Sequence, residues 1–169
     1  RLDGIPLAIE LAAARVKVLP LEQILERLDD RFRLLTGGNR TALPRQQTLG
    51  ALVEWSYELL TEAERKLLRR LTVFVGGRTL EMIESVCAGD GLEAGQMLDL
   101  ISSLADKSLV TVEQTSGGAP RYTMLESIWI FAEERLEQLG EAEPFRRRHL
   151  ECFVALAERA EPELTGPNQ

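Results

Sequence analysis

Leu109-Val110-Thr111-Val112-Glu113, then Gly117-Gly118-Ala119-Pro120, then Arg121-Tyr122-Thr123-Met124, is where the apolar period of this chain switches from helical to alternating. Alternation at period two fits a half-buried strand, the Gly-Gly-Ala-Pro segment fits a turn, and the second run fits the antiparallel return. Upstream the helical period holds. Thr61 and Glu64 form a capping box that opens a helix carrying Leu67, Leu68, Leu71 and Phe74, with Gly76-Gly77 as its stop. Thr79 caps a short helix reaching Val86, the glycines at 89 and 91 break it, and Met97, Leu98, Ile101, Leu104 and Ala105 mark a third helix from about Ala94. Downstream, a helix over residues 126–139 ends at Gly140, and a last amphipathic helix runs over residues 144–160.

Three helices followed by a two-stranded ribbon is the order of a winged helix. Ahead of it lies an all-helical segment. A helix over residues 6–19 carries Leu7, Leu11, Ala14, Val18 and Leu19, and Pro6 suits its first turn, where a missing N–H costs nothing. Pro20 starts another helix with Ile24, Leu25, Leu28 and Phe32 on its apolar side. Residues 37–44 read as a loop, and residues 46–60 as a helix with Leu49, Leu52, Val53, Ser56, Leu59 and Leu60 recurring. The predicted fold class is mainly α: a small helical-bundle domain over 1–60, a winged-helix domain with one β-hairpin over 61–139, and a C-terminal linker helix over 140–169 leading to a downstream repeat domain.

Composition narrows the function classes. The 169 residues are 44% hydrophobic, enough for a core, and 20 Lys plus Arg stand against 27 Asp plus Glu, a net charge of −7. That field opposes nucleic acid and anionic membrane alike. Two cysteines, Cys87 and Cys152, make no disulfide framework, which favours a reducing compartment and a cytoplasmic location with inert thiols. No apolar stretch is long enough to span a membrane. A chain beginning at Arg1, with a helical pattern almost at once, is expected to be a piece of a longer protein.

Gly4-Ile5-Pro6-Leu7-Ala8-Ile9-Glu10-Leu11-Ala12 resembles the GxP-type motif opening the first helical domain of NB-ARC proteins, the signal-transduction ATPases of the STAND class. Gln47-Thr48-Leu49, Trp55-Ser56-Tyr57-Glu58-Leu59-Leu60 and Arg69-Arg70-Leu71-Thr72-Val73-Phe74 are similar to the following stretch of their actinomycete-type bacterial members. So are Leu104-Ala105-Asp106-Lys107-Ser108-Leu109-Val110 and Arg121-Tyr122-Thr123-Met124-Leu125-Glu126-Ser127-Ile128. The resemblance implies a transcriptional regulator in which bound ADP holds a switch closed and ATP opens it. An upstream P-loop domain absent from this chain would hold most of the ADP or ATP, and sensor repeats would follow downstream. It also implies cofactor-contacting positions at Gly4, Pro6, Leu125 and Glu126. Pro6 would lie against adenine. Leu125 and Glu126 stand where the family's Met-His-Asp motif has His and Asp, and leucine offers no donor to a phosphate oxygen. Glu126 would repel phosphate, so a cap on the following helix is its expected role.

Catalysis is not expected of this chain. It has no G-x-x-x-x-G-K-[ST], and Lys17, Lys66 and Lys107 follow no glycine-rich loop. His149, alone among Arg146, Arg147 and Arg148, reads as a helix-face residue rather than a metal ligand. Trp129 is expected in the core beside Leu125, Ala132 and Leu136, while Ile130 is an apolar residue on a polar face or a contact with another domain. The rival reading is a winged-helix DNA-binding module, whose reading helix would present Gln96, Asp99, Ser102, Ser103 and Asp106, with Lys107 at its end. Two carboxylates beside one lysine oppose phosphate contact, so nucleic acid is not expected as a partner. A helical adaptor without nucleotide dependence is the third reading.

Overall fold

The computed structural model describes residues 6–27, 44–114 and 118–164; Gly4, Leu28, Phe32, most of the 37–44 loop and Gly117 lie outside them. Helix α1, Pro6–Arg15, opens on its proline, buries Ala8, Leu11 and Ala12, and gives way to a turn rather than continuing to Leu19. Residues 21–27 are helical, with Ile24 buried. Helix α2, Pro44–Glu58, packs on α1 and buries Leu52, Val53 and Trp55.

Helix α3, Glu62–Arg70, starts at the capping box expected from sequence: the Glu64 amide donates to Thr61 Oγ1 at 3.3 Å, and the Thr61 amide donates to Glu64 Oε2 at 2.7 Å. It ends sooner than the apolar period suggests. The Thr72 hydroxyl donates to the Arg69 carbonyl at 2.7 Å, and Leu71–Val73 tighten into one 3₁₀ turn before Phe74 becomes extended. Helix α4, Leu80–Cys87, is capped by Thr79, whose Oγ1 accepts from the Met82 amide at 3.4 Å. Gly89, Asp90 and Gly91 all have positive φ, which makes the turn into a 3₁₀ segment, Ala94–Gln96, and then helix α5, Met97–Asp106.

Strands β1, Thr111–Glu113, and β2, Arg121–Thr123, pair antiparallel with Val112 opposite Tyr122. Leu109 and Val110, expected in the first strand, are instead buried between α5 and the ribbon, and Met124 lies past β2. Arg78 adds an isolated antiparallel bridge to Tyr122, so the ribbon is tied to the segment between α3 and α4. Helix α6, Glu126–Gln138, packs on both α2 and α3, and helix α7, Ala142–Leu164, packs its first half on α4.

One apolar cluster runs from Ala8 through Leu52, Leu67, Ile83, Ile101 and Leu104 to Ala132, across the turn at residue 60. Each fully buried aliphatic side chain there contributes about 1.5–3 kcal/mol. Among the described residues, no helix is long and apolar enough to cross a membrane.

Candidate functional site

The outward face of α5 carries Gln96 just before it, then Leu98, Asp99, Ser102 and Asp106, all exposed. Its inward face buries Met97, Ile101 and Leu104, so the core alone fixes which residues point out. Polar contacts lock its C-terminal end. The buried Glu64 carboxylate accepts from the Ser103 hydroxyl at 2.6 Å and pairs with the Lys107 ammonium. Burial by itself would raise the Glu64 pKa, but the hydrogen bonds from Lys107, Ser103 and Thr61 outweigh it and hold the carboxyl at about 2. Ser103 and Lys107, both expected on the reading surface, are therefore turned inward onto α3. The wing supplies exposed Arg121, whose guanidinium reaches the Gly77 carbonyl. Lys66 on α3 lies near the α4–α5 turn, with Nζ 3.5 Å from the Asp90 carbonyl.

Part of the basic runs elsewhere is committed inside the molecule. Arg70 Nη1 donates to the carbonyls of Cys87 and Gly89, both at 2.7 Å, and its guanidinium stacks 4.3 Å from the Phe145 ring centroid. Arg148 covers the same ring from α7 at 4.9 Å and donates to the Ala88 carbonyl and the Asp90 carboxylate, each at 2.9 Å. Between them these two arginines satisfy carbonyls that the end of α4 leaves open. Arg69 donates to the Tyr57 hydroxyl at 2.7 Å and sets Nε and Nη2 against the two Glu141 oxygens. Arg146 pairs with Glu133 and Glu137, and Arg147 with Glu151. Arg146 and Arg147 thus stay on the surface, and only Arg148 of the three is half-buried against the end of α4.

These buried arginines were not foreseen from sequence. The available signal was spacing: Arg70 falls three residues after Leu67 and four before Phe74, on the apolar side of its helix. His149 sits between the Phe74 and Phe153 rings, at centroid distances of 5.0 and 4.5 Å, and burial lowers its pKa. Cys87 is fully buried, which pushes its thiol up to about 12, and Cys152 is half-buried.

Of the four positions drawn from the nucleotide motifs, Gly4 is outside the described residues. Pro6 is exposed at the start of α1. Leu125 is the N-cap residue of α6 and is exposed, and no side chain caps that helix, so Glu126 does not have the capping role expected of it. Trp129 is half-buried, its indole N–H donating to the Thr72 carbonyl at 2.9 Å. Ile130 is exposed along a cavity of about 530 Å³ between α2 and α6, with Leu49, Val53 and Phe131 on its walls.

Three packed helices, a tight positive-φ turn before the third, and a ribbon hydrogen-bonded back to the first inter-helix segment define a winged helix. Residues 60–137 match the family described as winged helix-turn-helix domain. A protein of Mycobacterium tuberculosis provisionally named HTH-type transcriptional regulator is 49% identical over 157 residues, covering 93% of this chain and 18% of that protein. Its counterpart in Mycobacterium bovis matches to the same extent. An uncharacterized Mycobacterium tuberculosis protein is 46% identical over 150 residues, 88% of this chain and 38% of that protein. The chain therefore spans well under half the length of these curated relatives.

These matches correct one expectation. Nucleic acid was set aside as a partner on net charge and on the α5 carboxylates, and a winged helix-turn-helix domain with relatives named as transcriptional regulators points the other way. The physical error was to weigh a whole-chain charge against a local surface. A carboxylate repels phosphate, but in the major groove it can also accept from a cytosine amino group.

Proposed function

We propose that this chain is the winged-helix DNA-contacting module of a transcriptional regulator. The observation that carries it is the order of helix, tight turn, helix and wing, with the polar side of α5 left exposed while its apolar side is fixed by the core. In this reading α5 enters the major groove with Gln96, Asp99 and Ser102 toward base edges, and Arg121 and Lys66 approach phosphates. The chain itself performs no catalysis. Amide shifts recorded by NMR on adding a mixed-sequence DNA duplex test it. Shifts concentrated in α5 and the wing are expected, and shifts confined to α1 and α2, or none, would refute it.

A second reading rests on the motif resemblance, with support from the exposure of Pro6 and Leu125: an ADP- or ATP-dependent switch of the STAND class within a longer protein. Here Pro6 meets adenine, and most of the remaining nucleotide contacts come from an upstream domain outside this chain. Substituting Pro6→Ala in the parent protein is expected to weaken ADP binding more than it lowers the melting temperature. An unchanged ADP affinity would remove Pro6 from the site.

A further inference from the structure

Arg78 has only 1% of its surface exposed and lies between the Gly76-Gly77 turn and the wing. Its backbone exchanges both hydrogen bonds with Tyr122, at 3.1 and 2.8 Å, so its position is fixed by the sheet. Its Nη1 donates to the Gly76 carbonyl at 3.1 Å. Nε and Nη2, both buried, have no partner among the described residues. Those two nitrogens form one edge of the guanidinium, the edge that grips a carboxylate with two parallel hydrogen bonds. Arg69 in this same molecule uses that edge on Glu141, at 3.2 and 3.5 Å. Arg78 has the same fork and no acid in it. The Phe74 ring, 5.8 Å away, offers a cation a face but cannot satisfy two N–H groups.

A cavity of about 300 Å³ adjoins this residue, lined by Phe74, Val75, Gly76, Arg78, Thr123, Met124, Glu126 and Trp129. The walls are mainly aromatic and aliphatic. Val75 at the lip is 95% exposed, and Gly76 beside it has φ +89°, a left-handed turn residue. The size suits a single ring rather than a nucleotide, and apolar walls with a few convergent polar groups are the usual make-up of a small-ligand site; here the charged ones are Arg78 and the exposed Glu126 at the wall.

We propose that this cavity is a binding site for a small aromatic or aliphatic carboxylic acid, whose carboxylate is gripped by the Nε–Nη2 edge of Arg78. Its apolar body lies against Phe74, Met124 and Trp129. Both nitrogens are buried, so the acid reaches them only by a local displacement of the cavity wall. The site is separate from the outward face of α5, so it goes beyond DNA contact and does not depend on it. The Arg78–Tyr122 bridge puts the ligand one hydrogen-bonded pair away from the wing.

Phenylacetate is the probe, titrated into the whole chain by calorimetry with Trp129 indole shifts as a second readout. A ligand of this size is expected to bind with Kd on the order of 1 mM or tighter. Benzyl alcohol, which lacks the acid, should bind about tenfold more weakly or not at all. Arg78→Lys keeps the charge but loses the fork, and should weaken binding about tenfold. Should that variant fold poorly, Val75→Asp serves instead. It alters an exposed lip residue, leaves the core intact, and should weaken binding several-fold by repulsion. Absence of phenylacetate binding overturns the proposal, as does equal affinity for benzyl alcohol or unchanged affinity in both variants. Binding of inorganic phosphate in preference to phenylacetate overturns the assignment to a carboxylic acid.

Discussion

The seam between α3, α4 and α7 and the outward face of α5 use charge in opposite ways. In the seam, Arg69, Arg70 and Arg148 each meet a carbonyl, a carboxylate or an aromatic ring, and two of them close the end of α4. On α5 the exposed groups are Gln96, Asp99, Ser102 and Asp106, and the one cation at its end is bound to Glu64. Three arginines of the basic runs, Arg69, Arg70 and Arg148, therefore hold the winged helix together, and few cations remain for phosphate. A positive run in a sequence is a supply of charge, and only tertiary partners decide whether it faces in or out.

The strongest break in this comparison is Arg70→Met. It keeps the volume but leaves the Cys87 and Gly89 carbonyls without their buried donor, and about 3–4 kcal/mol of stability should be lost in urea unfolding. A change below 1 kcal/mol would show that the seam is not structural. Next comes Glu64→Gln, expected to lose roughly 2–3 kcal/mol at neutral pH. Because folding depresses the Glu64 pKa from 4.5 to about 2, its contribution is fully present above 4.5 and disappears as pH falls toward 2. The native chain should thus lose more stability than the variant across that window, and parallel pH profiles would contradict the assignment.

Arg148→Ala removes a half-exposed member of the seam and should cost about 1 kcal/mol, with DNA affinity unchanged. The smallest effect on stability belongs to Arg121→Ala, within about 0.5 kcal/mol, yet it should lower the salt dependence of DNA binding by about one unit of slope. Should Arg148 change that slope and Arg121 leave it untouched, the division between seam and surface would be reversed.

Much of the fold was legible because its signals are local. The Thr61–Glu64 capping box and the Thr79 cap act within a few residues and appear where the sequence puts them, whereas the half-buried strand expected over 109–113 shortens to 111–113, with all three residues exposed. The early end of α3 was not legible, since the apolar period continues through Leu71 and Phe74 while the Thr72 hydroxyl bonds back to the Arg69 carbonyl and the turn tightens. The candidate surface was half legible. Periodicity gave the outward residues of α5, but Ser103 and Lys107 turn inward toward a carboxylate 39 and 43 positions away. The free edge of Arg78 was invisible for the same reason, because it depends on a bridge to Tyr122 across the wing.

The salt dependence of duplex binding by this chain tests the account most directly. With Arg121 and Lys66 as the cations near α5 and the wing, and Lys107 held by Glu64, log Kobs against log salt should fall with a slope of about −1 to −2. A binding-silent chain at low salt, or a steep slope carried by Arg146 and Arg147 on α7, would contradict it.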